Sequence, residues 1–196
     1  MISLKNIIKA APIVLAGASL VFLDGCANQK PPAIKAEQPI PVTETYSPKR
    51  NYKLENILLN KILLEEIRPH MGYIESSHND SAESDAGARG EYQITAETWN
   101  DMMPGIPFDS AFNPELNNIA RERYLFWLKD TYFPRNYKNW QETSLEKKLE
   151  VILMAYNAGP NKVLKRIKKN KEMPEETKNY IKKLKERYEF QDPSRI

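Results

Sequence analysis

The 196-residue sequence predicts an all-α domain, on three observations. Apolar residues recur at helical spacing in four separate stretches. Alternating, strand-like patterns are scarce, residues 91–94 being the only short candidate. A composition of 41% hydrophobic and 28% charged residues supplies one ordinary core and a solvated surface, too little chain for two full domains.

The first 26 residues read as an export signal. Lys5 and Lys9 precede an uncharged run over residues 10–23. That run falls short of the ~20 residues that cross a bilayer and fits the ~7–15 of a secretory signal core. It ends Leu23-Asp24-Gly25-Cys26, which resembles a bacterial lipobox, although Asp24 stands where a small uncharged residue is usual. The resemblance implies that Cys26 becomes the first mature residue and is lipidated, anchoring the protein to a membrane. Ala27 after the cysteine implies an outer-membrane anchor facing the periplasm. The alternative is an uncleaved anchor helix with an incidental cysteine.

Residues 27–50 carry Pro31, Pro32, Pro39, Pro41 and Pro48 among polar residues. Such a stretch supplies no core and favours extended conformations, so a flexible spacer is expected. Residues 51–196 are then the one helical domain. Leu54, Ile57, Leu58, Leu59, Ile62, Leu63, Leu64 and Ile67 are apolar on most helical faces, which predicts a helix at the domain centre. Pro69 suits the first turn of the next helix. Ile119, Tyr124, Leu125 and Leu128 mark a third helix, and Leu145, Leu149, Ile152 and Leu153 a fourth. Tyr180, Ile181, Leu184 and Tyr188 form a final amphipathic stripe.

Several chemistries are disfavoured. Cys26 is the single cysteine, which excludes an internal disulfide and any multi-thiolate metal site, and His70 and His78 leave little for a zinc centre. No glycine-rich phosphate loop appears, and neither metal nor organic cofactor is expected. From Asn161 onward 12 Lys and Arg face 6 Asp and Glu, a basic tail that reads as a solvated helix face. Export from the cytoplasm argues against nucleic acid as its partner.

The chemistry-bearing segment runs over residues 74–94. Glu75 directly follows apolar residues, so its carboxyl is expected to lose water, which raises its pKa and makes it a proton donor near neutrality. Gly87 and Gly90 permit sharp turns and close approach to a ligand, while Ser84 and Gln93 offer hydrogen bonds to sugar hydroxyls or an acetamido group.

With two further blocks, this segment resembles the SLT-type lytic transglycosylases, bacterial peptidoglycan-cleaving enzymes with a lysozyme-like fold. Glu75-Ser76 matches the catalytic E-S pair, and Ser84 and Gly87-Ala88-x-Gly90-x-x-Gln93 follow at the family's spacing. The run from Ala155 through Tyr156, Asn157, Ala158 and Gly159 to Pro160 matches A-Y-N-A-G-P. Pro174, Glu176, Thr177 and Tyr180 match P-x-E-T-x-x-Y. The resemblance covers most of residues 54–185. Three positions depart from it: Glu91 and Tyr92 make Gly90-Glu91-Tyr92-Gln93 of the usual G-L-M-Q, and Arg121 stands for a common glycine. Tyr92 is expected to offer a flat face to a sugar.

The resemblance implies cleavage of the MurNAc–GlcNAc β-1,4 bond with a 1,6-anhydromuramyl product, Glu75 acting as acid and then base. It also implies substrate contacts from Ser76, Ser84, Gln93, Tyr156, Asn157, Glu176 and Tyr180, with peptidoglycan strands as partner. Asn157 has an alternative as a turn-shaping residue, Tyr156 as a core aromatic, and Glu176 as a helix-start glutamate favoured by the macrodipole. His78 is expected to be an exposed structural residue. Asp80, Glu83, Asp85 and Glu91 follow Glu75, and one of them as a second carboxyl would make the protein a hydrolase similar to goose-type lysozyme. A non-catalytic glycan-binding envelope lipoprotein is the third reading.

Overall fold

The structure, a computed structural model, describes residues 51–190, with side chains to residue 188. The expected signal, Cys26 and the proline-rich spacer lie outside the described residues. Among those residues the fold is helical, and residues 91–94 form a turn whose only strand-like feature is an isolated Arg89–Ile94 bridge.

Helix α1 (Tyr52–Lys61) starts where the Asn51 side chain accepts the Leu54 N–H at 3.1 Å. It runs into a widened turn over Ile62–Glu66, closed by an Ile67 N–H to Ile62 carbonyl bond. Helix α2 (Arg68–Ser76) has Pro69 in its first turn, as its sequence predicts. It stops because Ser77 and His78 both adopt left-handed backbone, φ 58° and 61°.

After a loop over residues 79–95 come α3 (Ala96–Met102) and α4 (Pro114–Trp127), capped by Thr95 and Asn113. A second widened turn spans Leu128–Tyr132 and leads into the short α5 (Phe133–Asn136). Then α6 (Leu145–Ala158) is capped by Ser144, α7 (Pro160–Lys168) follows Gly159 directly, and α8 (Glu175–Phe190) ends the described chain.

The central helix is α6, not α1. Leu145, Leu149, Val151, Ile152, Leu153, Met154 and Ala155 are all buried, covering most of the α6 circumference. The expectation of a central first helix is corrected: Leu54 and Ile57 are 44% and 55% exposed, α1 buries Leu59, and the widened turn after it buries Ile62 and Leu63. An all-round apolar pattern shows what a helix can bury, not how many neighbours it meets. The α8 stripe of Tyr180, Ile181 and Leu184 is buried as its spacing predicts.

The loop before α3 is fixed to the helices by one buried side chain. Asn117, in α4, donates to the carbonyls of Arg89 (3.0 Å) and Ala111 (2.9 Å) and accepts the Tyr92 N–H (2.8 Å). Gly90, at φ 76°, lies so close that a Cβ there would run into the Ala111 carbonyl and the Asn117 amide. The close approach expected of this glycine is therefore to its own fold rather than to a ligand. Asn117→Ala strands the Tyr92 N–H and the Ala111 carbonyl around a fully buried position, while the Arg89 carbonyl keeps the Ile94 N–H, and each stranded group costs about 1–3 kcal/mol. A loss on the order of 3–5 kcal/mol is expected, read as a lower urea midpoint at unchanged slope.

Candidate functional site

Glu75 sits in the last turn of α2, and two tyrosines approach it from other helices: Tyr156 of α6 and Tyr180 of α8. The residue is half-buried, but its Oε1 is buried with no hydrogen-bond partner. Burial pushes the Glu75 carboxyl up to about 7, and the Tyr180 hydroxyl opposes part of that rise. The Tyr180 hydroxyl is itself buried and unpartnered. Carboxyl and phenol therefore act on each other by proximity, without a hydrogen bond of ordinary geometry. Both phenols are held protonated far above their usual range, by burial first and by the Glu75 charge second.

Tyr156 is anchored. Its hydroxyl donates to the Tyr92 carbonyl at 2.8 Å, tying the central helix to the loop that carries Gln93. Its ring lies 5.6 Å from that of Tyr124. Tyr92 does not offer its face to a ligand. It is 3% exposed and lies under Arg121, whose guanidinium is 5.0 Å from the ring centroid. The expected sugar-facing role is corrected: the backbone bonds to Asn117 and Tyr156 turn that side chain inward.

The remaining sequence-selected residues divide. Gln93, at φ 49°, spends both amide protons on the carbonyls of Gly90 (3.0 Å) and Ala82 (3.3 Å), so only its carbonyl oxygen is left to accept. Ser84 Oγ accepts the Ala88 N–H at 3.0 Å and closes the loop. Ser76 Oγ donates to the Gly72 carbonyl (3.4 Å) and accepts the Asn79 N–H (3.0 Å), fastening the end of α2. Asn157 is half-buried in the last turn of α6, just ahead of Gly159 at φ 83°. Glu176 is exposed in the first turn of α8.

The four acidic residues after Glu75 also separate. Glu83 pairs with Arg89 (3.0 Å), which in turn holds Asp109 (2.7 Å). Glu91 pairs with His78 Nδ1 at 2.7 Å and lies flat on α2, occupying the space that a Cβ at Gly72 would take. Asp80 is half-buried and Asp85 exposed. No carboxylate takes part in raising the Glu75 pKa; burial does, with Tyr180 opposing. His78 is exposed, as expected, yet it is half of a pair that joins the hook after α2 to the Gln93 loop. Residues 13 apart in an irregular segment carry no periodic signal, so the sequence does not announce this link.

A half-buried acid at a helix end, two buried phenols and a glycine-turned loop held by an asparagine define a helical acid–base site. The transglycosylase SLT domain model matches residues 70–181, more than half of the chain, and includes every element just described. The chain belongs to that family, whose members share the lysozyme-like fold and act as lytic transglycosylases on peptidoglycan. No curated protein and no solved structure matches it.

The raised Glu75 pKa couples the site to stability. The folded chain binds this proton more tightly than the unfolded chain, so its stabilising contribution is full below the ordinary glutamate value of 4.5 and is lost as pH rises through about 7. Glu75→Gln removes the dependence. Its melting temperature relative to wild type is expected to climb between pH 5 and pH 8.5, by the equivalent of on the order of 2–3 kcal/mol. Parallel melting curves across that range would show that the carboxyl is solvated.

Proposed function

We propose that the chain cleaves the MurNAc–GlcNAc bond of peptidoglycan strands as a lytic transglycosylase, with Glu75 as the one acid–base group. The observation that carries this reading is a glutamate whose Oε1 is buried and unpartnered in an SLT-family chain, its pKa raised to about 7 by burial with no other carboxylate contributing to that rise. Two-carboxyl glycosidases need an acid and a separate base or nucleophile across the bond, commonly ~5–9.5 Å apart.

Protonated Glu75 gives its proton to the glycosidic oxygen as the C1–O bond breaks, and the freed strand leaves as an alcohol. The acetamido oxygen of the muramyl residue closes on C1 and holds the positive charge. Glu75, now a carboxylate, takes the proton of the muramyl 6-hydroxyl. That oxygen attacks C1 and displaces the acetamido oxygen, leaving a 1,6-anhydro ring and a reprotonated Glu75. No water is consumed. Holding nucleophile and electrophile in one sugar replaces a bimolecular encounter, an advantage reaching ~7–11 kcal/mol in well-oriented cases.

Tyr180 serves the half-step in which Glu75 is charged, since its hydroxyl favours the carboxylate. Gln93, through its free carbonyl oxygen, and Asn157 are the polar groups offered to the sugar, and Tyr156 keeps the loop wall closed against water. Ser76 and Ser84 support the site through the backbone, while Glu176 stands at its edge. In the cell, Cys26 is the lipid anchor in the outer membrane. Residues 27–50, with their five prolines, are the spacer between that anchor and the domain.

Purified protein without residues 1–26 is expected to clear a peptidoglycan suspension, and Glu75→Gln is not. Mass spectrometry of the products should show anhydromuramyl ends. Reducing muramic acid alone would make the protein a hydrolase, and equal clearing by both proteins would remove Glu75 from the chemistry. Activity is expected to fall as pH rises through about 7, where Glu75 loses its proton. Tyr180→Phe removes the group that opposes the rise. It should move that alkaline limb to higher pH while lowering kcat roughly tenfold, the worth of one hydrogen bond to a charged group.

A further inference from the structure

A continuous row of aromatic rings leads away from the Glu75 site. From Tyr156 it passes to Tyr124 at 5.6 Å, then to Trp127, nearly parallel to Tyr124 at 6.0 Å and 16°, and on to Tyr132 at 5.1 Å. Tyr124 is buried, while Trp127 and Tyr132 are half-buried, so the row surfaces as it leaves Glu75. At its far end the Tyr132 hydroxyl donates to Oδ1 of exposed Asn161 at 2.7 Å, in the first turn of α7. Across the row, the exposed carboxylates Glu97 and Asp101 of α3 lie near enough to act on the Tyr124 hydroxyl.

The meeting of Trp127 and Tyr132 is not a consequence of ordinary helix geometry. Five residues apart on a regular helix, they would point roughly 140° away from each other. The widened turn over Leu128–Tyr132, closed by the Phe133 N–H on the Leu128 carbonyl, inserts the extra residue that turns Tyr132 back onto Trp127. Tyr132 is then braced edge-on by Phe133 at 5.2 Å, which stacks on Trp140 in the core. Two half-buried aromatic rings, flanked by an amide and carboxylates, have the chemistry of a sugar platform. The rings meet the C–H faces of a pyranose, and the polar groups meet its hydroxyls.

We propose that Trp127, Tyr132 and Asn161 form an outer glycan subsite, on which an aminosugar ring of the strand stacks beyond the sugars that flank the bond cleaved at Glu75. The proposal rests on the reading of this chain as a peptidoglycan-strand enzyme. It makes grip on the strand depend on strand length, since only a strand long enough to run from Glu75 past Tyr124 meets the platform as well.

The test uses tryptophan as its own reporter. Trp99 and Trp140 are 0% and 4% exposed, which leaves Trp127 as the half-buried one of the three. In Glu75→Gln protein, which does not turn over, soluble peptide-free glycan strands are expected to shield Trp127 from iodide quenching and shift its emission. The strand disaccharide should do neither. Trp127→Leu, which keeps an apolar group against the core, and Asn161→Ala on the surface should each weaken strand binding, Trp127→Leu roughly tenfold, with unchanged far-ultraviolet circular dichroism. Trp127 remaining fully quenchable with strands bound, or equal strand affinity in Trp127→Leu, overturns the subsite. If wild-type protein still releases anhydro products in that case, only the subsite falls. If it releases none and strands do not bind, the enzymatic reading falls with it.

Discussion

A carboxyl group with one oxygen buried and unpaired is tolerable as an acid and costly as an anion, and the helices around Glu75 are arranged about that asymmetry. Apolar surroundings keep the proton on Glu75 to a higher pH than an ordinary glutamate, up to about 7, which suits a donor to a leaving oxygen. A phenol without a partner waits beside it, and Tyr180 becomes useful at the moment Glu75 is charged. The same two groups would thus suit both halves of the proposed cycle, in which one side chain is first acid and then base. A fully paired Glu75 would sit lower on the pH scale and give up its proton before meeting substrate.

The loop that faces this acid is held from behind by contacts distant in sequence. Asn117 grips it from α4, Tyr156 from α6, and Glu91 lies across the bare backbone of Gly72 to reach His78. Two of the departures from the family pattern belong to the same support. Arg121 and Tyr92 stand in separate motifs, yet the guanidinium lies over the ring. Arg121 also donates to the Leu63 carbonyl at 3.0 Å, in the widened turn after α1. A buried guanidinium is expensive unless its protons are spent, and here backbone carbonyls and the Asn118 side chain receive them. One substitution therefore accounts for the other: the larger ring at Tyr92 fills its site under a cation placed to meet it.

How much of this was legible follows from the range of each signal. Helix periodicity is local, so the helices around Tyr124, Leu149 and Tyr180 could be read directly, as could the Pro69 start. Glu75, Tyr156 and Tyr180 stand in three separate motifs, and the fold brings those three together. Leu54 and Ile57 misled, because their pattern says nothing of the neighbours α1 would find. The inward turn of Tyr92 was hidden because it depends on Asn117, 25 positions away, and on Tyr156, 64 away. The Trp127–Tyr132 contact was hidden for another reason: an extra residue in one helical turn reverses the face that a regular period assigns.

Single-carboxyl chemistry shifts the burden from charge placement to exclusion of water. On the reading proposed above, with Glu75 as the one acid–base group, the outcome would depend on which nucleophile reaches C1 first, and the muramyl 6-hydroxyl is carried by the same sugar. A wall that opens lets water compete; a wall that holds makes the intramolecular attack the only route. The bonds behind the loop therefore bear on the product as well as on stability, and this is why its polar side chains look inward. Ser76, Ser84 and both amide protons of Gln93 are spent on backbone. Strand recognition then falls to apolar surface and to the few acceptors at its edge.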